Sequence, residues 1–498
     1  MNNLKRQEFL KKMAILFAAT SIMPKALWAI PAKEIEGSEK DADDSFVLNE
    51  FAIIDLHCHP SQKMWLWGKK FWNAHWSVAK GENIFPMQEN HRQFSFGNVR
   101  GILASHYLLE KATEREWNTL KVFYPLIKFI PFLHIKDKIE YEDARNFDQV
   151  KRMIEMLNGQ MSEMNSRQSD IKYVIATDYT AFEAALNDPE KKSVAIAHAI
   201  EGAHALGRNF AVSAKKQKEN EDKKLPLYKM TPSVPGQSPY IENLLAFKKM
   251  GVCLITLAHF FRNDLVYPVD GISPDSKDTP AMEWEFTPDQ DRGLSPTGVE
   301  VVSTMLDVGM IVDLTHTAPK ARHEVFMLNR DVTIARKAKG LNPRPIVFTH
   351  TGAQQIYEYY DHRNYPFYKY YSVSDKEIDL ICECNGVIGI IAEVFWLTGG
   401  DANMPKQFKP EQFRFGIPYM IQTMKYINSK TRTKQYDNVG IGTDFDGLAD
   451  NPKDLFKNKQ LKDLIEAMKN DPELNQGDYI AKITSLNTKR VLKDGWGI

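Results

Sequence analysis

Short, nearly continuous apolar runs recur along the chain, at residues 51–57, 99–104, 193–200, 252–258, 310–314, 345–349, 386–391 and 438–442. They are rich in valine and isoleucine and do not alternate with polar residues. That pattern suits strands buried on both faces, as in a parallel sheet. Between them, residues 147–157 and 240–250 place apolar side chains at helical spacing. Residues 296–308 open on Ser295 as an N-cap, with Pro296 at the first helical position. Residues 374–384 open on Ser374 with Glu377 three positions later, the signature of a capping box. Eight strands alternating with helices predict a (β/α)8 TIM barrel.

Two stretches break the alternation, near 207–239 and 264–291. The first holds a lysine-rich tract and then Pro-Ser-Val-Pro-Gly, a solvated excursion; the second is rich in proline, aspartate and aromatics and reads as a loop over the barrel mouth. The start of the chain differs again. Lys5, Arg6, Lys11 and Lys12 form a basic head before the apolar run 13–23, and Ala26, Ala29 and Ala32 follow. This is the pattern of a secretory signal peptide, too short to span a bilayer. Arg6-Gln7-Glu8-Phe9-Leu10-Lys11 resembles a twin-arginine export signal with Gln7 in place of the second arginine. The expected organisation is a leader at 1–32, a linker at 33–50 and one barrel domain over 51–498. Such a product is exported, periplasmic or extracellular, without a stable membrane span after cleavage.

Composition narrows the ligand. Lysine and arginine number 64 and so do aspartate and glutamate, leaving no net field to draw in nucleic acid or an anionic membrane. A small molecule or peptide is the expected partner. Four cysteines in 498 residues make no disulfide framework. Cys58 and Cys253 read as small core residues, and Cys382 and Cys384 as incidental.

Polar residues gather where the predicted strands end: Asp55, His57 and His59 after the first, Glu201 and His204 after the third, His259 after the fourth. Asp313 and His316 follow the fifth, His350 the sixth, and Asp444 and Asp446 the eighth. In a barrel these ends meet at the C-terminal mouth, where such folds carry their chemistry. Histidine and carboxylate at this density suit zinc or a similar divalent ion. His57 and His59 alternate along a strand, so both can face the barrel axis. Glu201 can bridge two ions, and His316 and His350 can complete the second. Two ions about 3.5 Å apart hold and acidify a shared water and polarise a carbonyl. Asp444 can take that water's proton and pass it to a leaving amine. A lone histidine at a strand end is more often a hydrogen-bonded core residue, and His106, His198 and His204 are read that way. Asp446 shapes the turn before Gly447, and Asp55 and Asp313 orient their neighbours.

Ile200-Glu-Gly-Ala-His204, Leu257-Ala-His259, Gly309-Met-Ile-Val-Asp-Leu-Thr-His316, Val347-Phe-Thr-His350 and Gly440-Ile-Gly-Thr-Asp-Phe-Asp-Gly447 succeed one another in the order seen in the membrane (renal-type) dipeptidases, peptidase family M19 of the amidohydrolases, which the chain thus resembles. Gly293-Leu-Ser-Pro-Thr-Gly298, Arg363-Asn364 and Asn487-Thr-Lys-Arg-Val491 add to the resemblance, which runs from about Asp55 to Val491. It implies a dipeptidase with two divalent ions, zinc above all, acting on small peptides through a metal-bridging hydroxide. His57 would hold the first ion, Glu201 both, and His316 and His350 the second. His259 would lie beside the substrate and stabilise the tetrahedral oxyanion, Arg363 would grip the substrate carboxylate, and Asp444 would serve as acid and base. A homodimer is the assembly that the resemblance leaves to test.

One position departs from the family: His59 stands where an aspartate is usual. A histidine is still a metal ligand, but the exchange removes a negative charge from the first site and shifts its affinity and the acidity of bound water. Another amidohydrolase activity, on an N-acyl amino acid, lactone or cyclic amide, and a catalytically inactive ligand-binding barrel are the competing readings.

Overall fold

The computed structural model describes residues 51–72, 87–91, 93–94, 98–110, 138, 145–167, 170–190, 192–207, 238–269, 293–356, 368–393, 396–397, 416–447 and 451–497. The expected leader and linker, most of both expected inserts, and Arg363 with Asn364 lie outside these residues.

Among the described residues nine parallel strands form the sheet: β1 Ile53–Cys58, β2 Val99–Tyr107, β3 Lys172–Ala176, β4 Ser193–Glu201, β5 Val252–Thr256, β6 Ile311–Asp313, β7 Ile346–Thr351, β8 Val387–Ile390 and β9 Val439–Ile441. The order β2-β1-β9-β8-β7-β6-β5-β4 closes on itself through a β2–β4 pairing, Gly101↔Ala195 to Tyr107↔Glu201. The chain is therefore a (β/α)8 barrel, with eight strands in the ring. The expected eight are those eight.

The ninth, β3, is an addition to the expected set. It pairs with the first half of β4, Lys172↔Ser193 to Ala176↔Ala197, and β5 takes over from His198↔Val252. Since β2 occupies the other edge of β4, β3 and β5 share one edge end to end. Lys172 is exposed and Val174 and Ile175 only half-buried, so β3 lacks the continuous apolar run that marks its neighbours.

The longer described helices are α1 Gln62–Trp67, α2 Arg145–Ser166, α3 Tyr179–Leu186, α4 Pro239–Lys249, α5 Pro296–Val308, α6 Pro319–Lys337, α7 Asp375–Glu383, α8 Ile417–Lys430, α9 Leu461–Asn470 and α10 Asn487–Gly495. Both expected caps form. Ser295 Oγ accepts from Gly298 N at 3.0 Å, and Ser374 and Glu377 make the reciprocal box at the start of α7. α5 ends at Gly309 (φ 70°), where a side chain would run into the Gly497 carbonyl. None of these helices is long and apolar enough to cross a membrane.

Alternation along each strand sorts its side chains into two layers. Ile102, Ile196, Ile255, Val312, Phe348, Ile388 and Ile441 belong to the large cluster under the helices. Leu56, Leu103, Ala199, Leu254, Ile311, Val347 and Val387 form a second cluster that fills the barrel interior, with Phe182 from α3 and Trp496 beyond α10 packed into it. The interior is thus a solid floor, and the polar residues sit above it at the C-terminal ends of the strands. Cys58, Cys253 and Cys384 are buried and all four cysteines are free.

Candidate metal centre

The side chain of Glu201, the last residue of β4, is the hub. Its Oε1 lies 3.5 Å from His57 Nε2, 3.2 Å from His316 Nε2 and 3.4 Å from His350 Nε2. Its Oε2 lies 3.4 Å from His59 Nε2 and 3.8 Å from His259 Nε2. Asp444 Oδ1 approaches from the opposite wall, 3.1 Å from His59 Nε2 and 4.0 Å from His57 Nε2. Every described candidate ligand and catalytic residue therefore meets at one point. All are buried except Asp444, whose side chain is 15% exposed and opens the site to solvent.

His57 and His59 both turn to the centre from the end of the first strand. The register of β1 against β2 shifts between Asp55 and Cys58, and His59 lies one residue beyond the strand. Two backbone bonds fix the pair against the loop after β9: His59 N donates to the Phe445 carbonyl at 2.7 Å and Asp444 N to the His57 carbonyl at 2.9 Å. His259 likewise lies three residues past the end of β5. His316, Asp444 and Asp446 adopt positive φ (63°, 57° and 63°), a conformation that non-glycine residues hold at a cost and that clusters at functional sites. Gly447 is needed beside them, because a Cβ there would strike the Asp444 carboxylate.

Asp55 and Asp313 hold this frame. Asp55 accepts from His57 N (3.1 Å), Thr443 N (2.9 Å) and Thr443 Oγ1 (2.6 Å), while burial pushes its pKa up to about 6. Asp313 accepts from Thr256 Oγ1 (2.6 Å), Thr315 Oγ1 (2.8 Å), Thr349 N (3.0 Å) and Thr349 Oγ1 (2.7 Å). With its hydrogen given to Asp313, Thr349 Oγ1 can only accept. It lies 3.0 Å from His350 Nδ1, so that ring carries its proton on Nδ1 and turns an Nε2 lone pair to the centre, and 3.0 Å from His57 Nδ1, which Ser105 Oγ also meets at 3.1 Å; donating from Nδ1 to these two hydroxyls leaves His57 the same Nε2 lone pair.

Those lone pairs fit divalent ions. His57 Nε2 is 3.0 Å from His59 Nε2, and His316 Nε2 is 3.1 Å from His350 Nε2. Two ligand nitrogens about 2.0–2.1 Å from a common zinc stand about 2.8–3.4 Å apart for angles between a right angle and a tetrahedral one. Each pair thus has the separation that one ion imposes, with Glu201 between the pairs. Burial and the neighbouring histidines lower the pKa of His316 and of His350, keeping both in the neutral form that binds metal. Burial raises the Glu201 carboxyl, but the ring of histidines around it, His259 and His57 first, outweighs this and holds it well below the usual range. At His59 burial acts downward, and the Asp444 hydrogen bond with the Glu201 charge raises the net value.

Two participants carry no signal in the sequence. Glu110, three residues past β2, is buried against His259. Lys63 of α1 makes a fully buried ion pair with Asp446 at 2.8 Å, and Asp446 also accepts from Gln88 N and Glu89 N at 2.8 and 3.0 Å. Asp446 therefore does more than shape a turn: it fastens two segments to the loop that carries Asp444. Neither Glu110 nor Lys63 has a strand or a motif to announce it. His106, His198 and His204 lie apart from the centre. Ser61, His106, His198 and Asn158 form a hydrogen-bonded row with spacings of 2.9, 3.0 and 3.0 Å, and His204 Nε2 meets the Leu108 carbonyl at 2.8 Å.

The model of the membrane dipeptidase family (peptidase family M19) matches residues 229–495. Among curated proteins, the dipeptidase tcpJ of Claviceps purpurea is 26% identical over 254 residues, 50% of this chain and 46% of the relative. An uncharacterised dipeptidase of Schizosaccharomyces pombe is 27% identical over 251 residues, 50% of this chain and 47% of its own. The matched region thus spans about half the length of these relatives. A metallopeptidase from Rhodobacter sphaeroides, solved with a phosphinate mimic of the dipeptide L-Ala-D-Ala, superposes with a TM-score of 0.60 at 15% identity, over 90% of this chain and 100% of that one. The dipeptidase AC, a metallopeptidase of family M19, gives 0.57 at 16% identity, with coverage of 90% and 100%. At such identity the likeness is one of fold.

Proposed function

The chain belongs to the membrane dipeptidase family, peptidase family M19, and from that premise we propose that it is a metal-dependent hydrolase of dipeptides. The observation that carries the proposal is the convergence of His57, His59, His316, His350 and His259 on Glu201, with Asp444 closing the far side. His57 and His59 would hold one divalent ion, His316 and His350 a second, with Glu201 shared; the donor set suits zinc. When bound, the ions supply Lewis acidity and lower the pKa of water to near neutrality.

The protein's own groups divide the remaining work. Asp444, the most exposed acid of the set, accepts a proton at Oδ1 from the attacking water and returns it to the departing amine. His259 stands on the other side of Glu201 and stabilises the charge that develops on the carbonyl oxygen. Arg363, assigned from the family pattern, takes the free carboxylate of the dipeptide in a two-pronged contact. Export to the periplasm or beyond belongs to the same proposal and rests on the basic head and apolar run of residues 5–23.

The test combines metal analysis with a panel of L,L, L,D and D-containing dipeptides, the phosphinate-bound relative being the reason to include a D-residue on the C-terminal side. Two divalent ions per chain with turnover that needs the free carboxylate would support the reading. If Arg363→Ala leaves KM of the best substrate unchanged, the dipeptide pose is wrong. Fewer than one ion per chain and no turnover would instead indicate a binding protein.

A further inference from the structure

We propose that Glu110 is a positioning residue for catalysis, acting through His259. Glu110 lies three residues beyond β2 and is 1% exposed. Its Oε2 is 3.0 Å from His259 Nδ1, and it also accepts from Phe260 N at 3.1 Å and Tyr107 Oη at 3.3 Å. Its Oε1 accepts from Phe261 N at 3.0 Å. One carboxylate thus holds the imidazole and the two backbone amides that come after it.

A carboxylate surrounded by four donors stays ionised and can only accept. Burial raises the Glu110 carboxyl, and the hydrogen bond and charge of His259 more than offset this, leaving it lowered. His259 Nδ1 must therefore carry a proton. Its Nε2 is the nitrogen turned to the metal centre, 3.8 Å from Glu201 Oε2. Turning the ring over would exchange that nitrogen for a carbon and leave Glu110 without its partner in a buried place. The faces of the ring are closed as well, by Phe260 at 3.7 Å and Tyr107 at 4.1 Å between centroids. His259 sits beyond its strand rather than on it, so its aim depends on this anchor.

The inference rests on the reading that His259 meets the substrate. Its test uses the metal-loaded, full-length protein with Glu110→Leu, which removes the acceptor at similar size, and Glu110→Gln, whose amide oxygen can still take the Nδ1 proton. We expect full metal content in both. Glu110→Leu lowers kcat about 100-fold with KM changed less than about threefold, and Glu110→Gln recovers most of the loss. In a His259→Ala background, Glu110→Leu costs nothing more. Equal losses in both backgrounds, or an unchanged kcat for Glu110→Leu, would overturn the proposal. Nitrogen-15 spectra of histidine-labelled protein give a readout that needs no substrate. The His259 Nδ1 signal, identified by its absence in His259→Ala, should be that of a protonated nitrogen in the wild type and in Glu110→Gln, and lose that character in Glu110→Leu. If the wild type cleaves no dipeptide, the functional reading fails, and the spectra alone decide the positioning: an Nδ1 without a proton in the wild type refutes it.

Discussion

Thr349 Oγ1 donates to Asp313 Oδ2 across 2.7 Å, and this bond turns the hydroxyl into an acceptor between two rings. With its hydrogen committed, the hydroxyl is an acceptor for both His57 Nδ1 and His350 Nδ1.

Replacing Thr349 by valine keeps the shape and removes that acceptor. Metal affinity should fall 10–100-fold, the usual cost of losing a group that orients a ligand, while the fold persists. Competition against a chromogenic chelator measures it, and an affinity equal to the wild type would show that the hydroxyl does not orient the ligands.

His59 is 3.1 Å from Asp444 and 3.0 Å from His57. His59→Asp adds a negative charge among the ligands of the first ion. The expected gain is about 1–2 kcal/mol, on the order of tenfold in Kd for that ion. Titration calorimetry with zinc, read for the first site alone, checks the direction.

Asp444→Asn keeps the size of the side chain and removes its ability to take a proton. We expect kcat to fall by about 10²–10⁴-fold with the metal content unchanged. A loss of metal in step with activity would recast Asp444 as a ligand.

The row from Ser61 to Asn158 predicts a pH effect on stability. His198 Nε2 donates to Asn158 Oδ1, so His198 Nδ1 accepts from His106 Nε2, and His106 Nδ1 accepts from Ser61. Both imidazoles are neutral in the fold. Burial pushes His198 down to about 4 and His106 well below its usual 6.5. Unfolded histidine titrates near 6.5, so in the window from 6.5 to 4 the unfolded chain binds more protons. Stability is complete above 6.5 and drains away as the pH falls. From pH 7 to 5, urea unfolding of the wild type should lose about 2 kcal/mol more than that of His198→Gln. Equal losses would mean that the row is protonated when folded.

Much of this is legible in the sequence because two strong signals coincide there. Strands buried on both faces leave uninterrupted apolar runs, and a barrel sends their ends to one mouth, so His57, Glu201, His316, His350 and Asp444 can be picked out together. β3 is silent because it carries an exposed lysine and two half-buried residues, with no run to detect. Glu110 and Lys63 are silent for a different reason. Glu110 meets His259 from beyond β2 and Lys63 meets Asp446 from α1, and charged residues in such places are ordinarily solvated, so only the assembled geometry separates them from the rest. Cap residues such as Ser295 and Ser374 are readable because a cap is a local bond over three positions.

The two backbone bonds that tie His57 and His59 to Asp444 and Phe445 join the first strand of the ring to the loop after the last. During synthesis, four hundred residues part them, roughly, and a chain emerging at about 5–20 residues per second waits tens of seconds for β9. Until then β1 has an open edge able to pair with other chains, and His57 and His59 stand without their acid. The centre is therefore among the last things the protein can finish, and any product cut short before residue 438 would lack it.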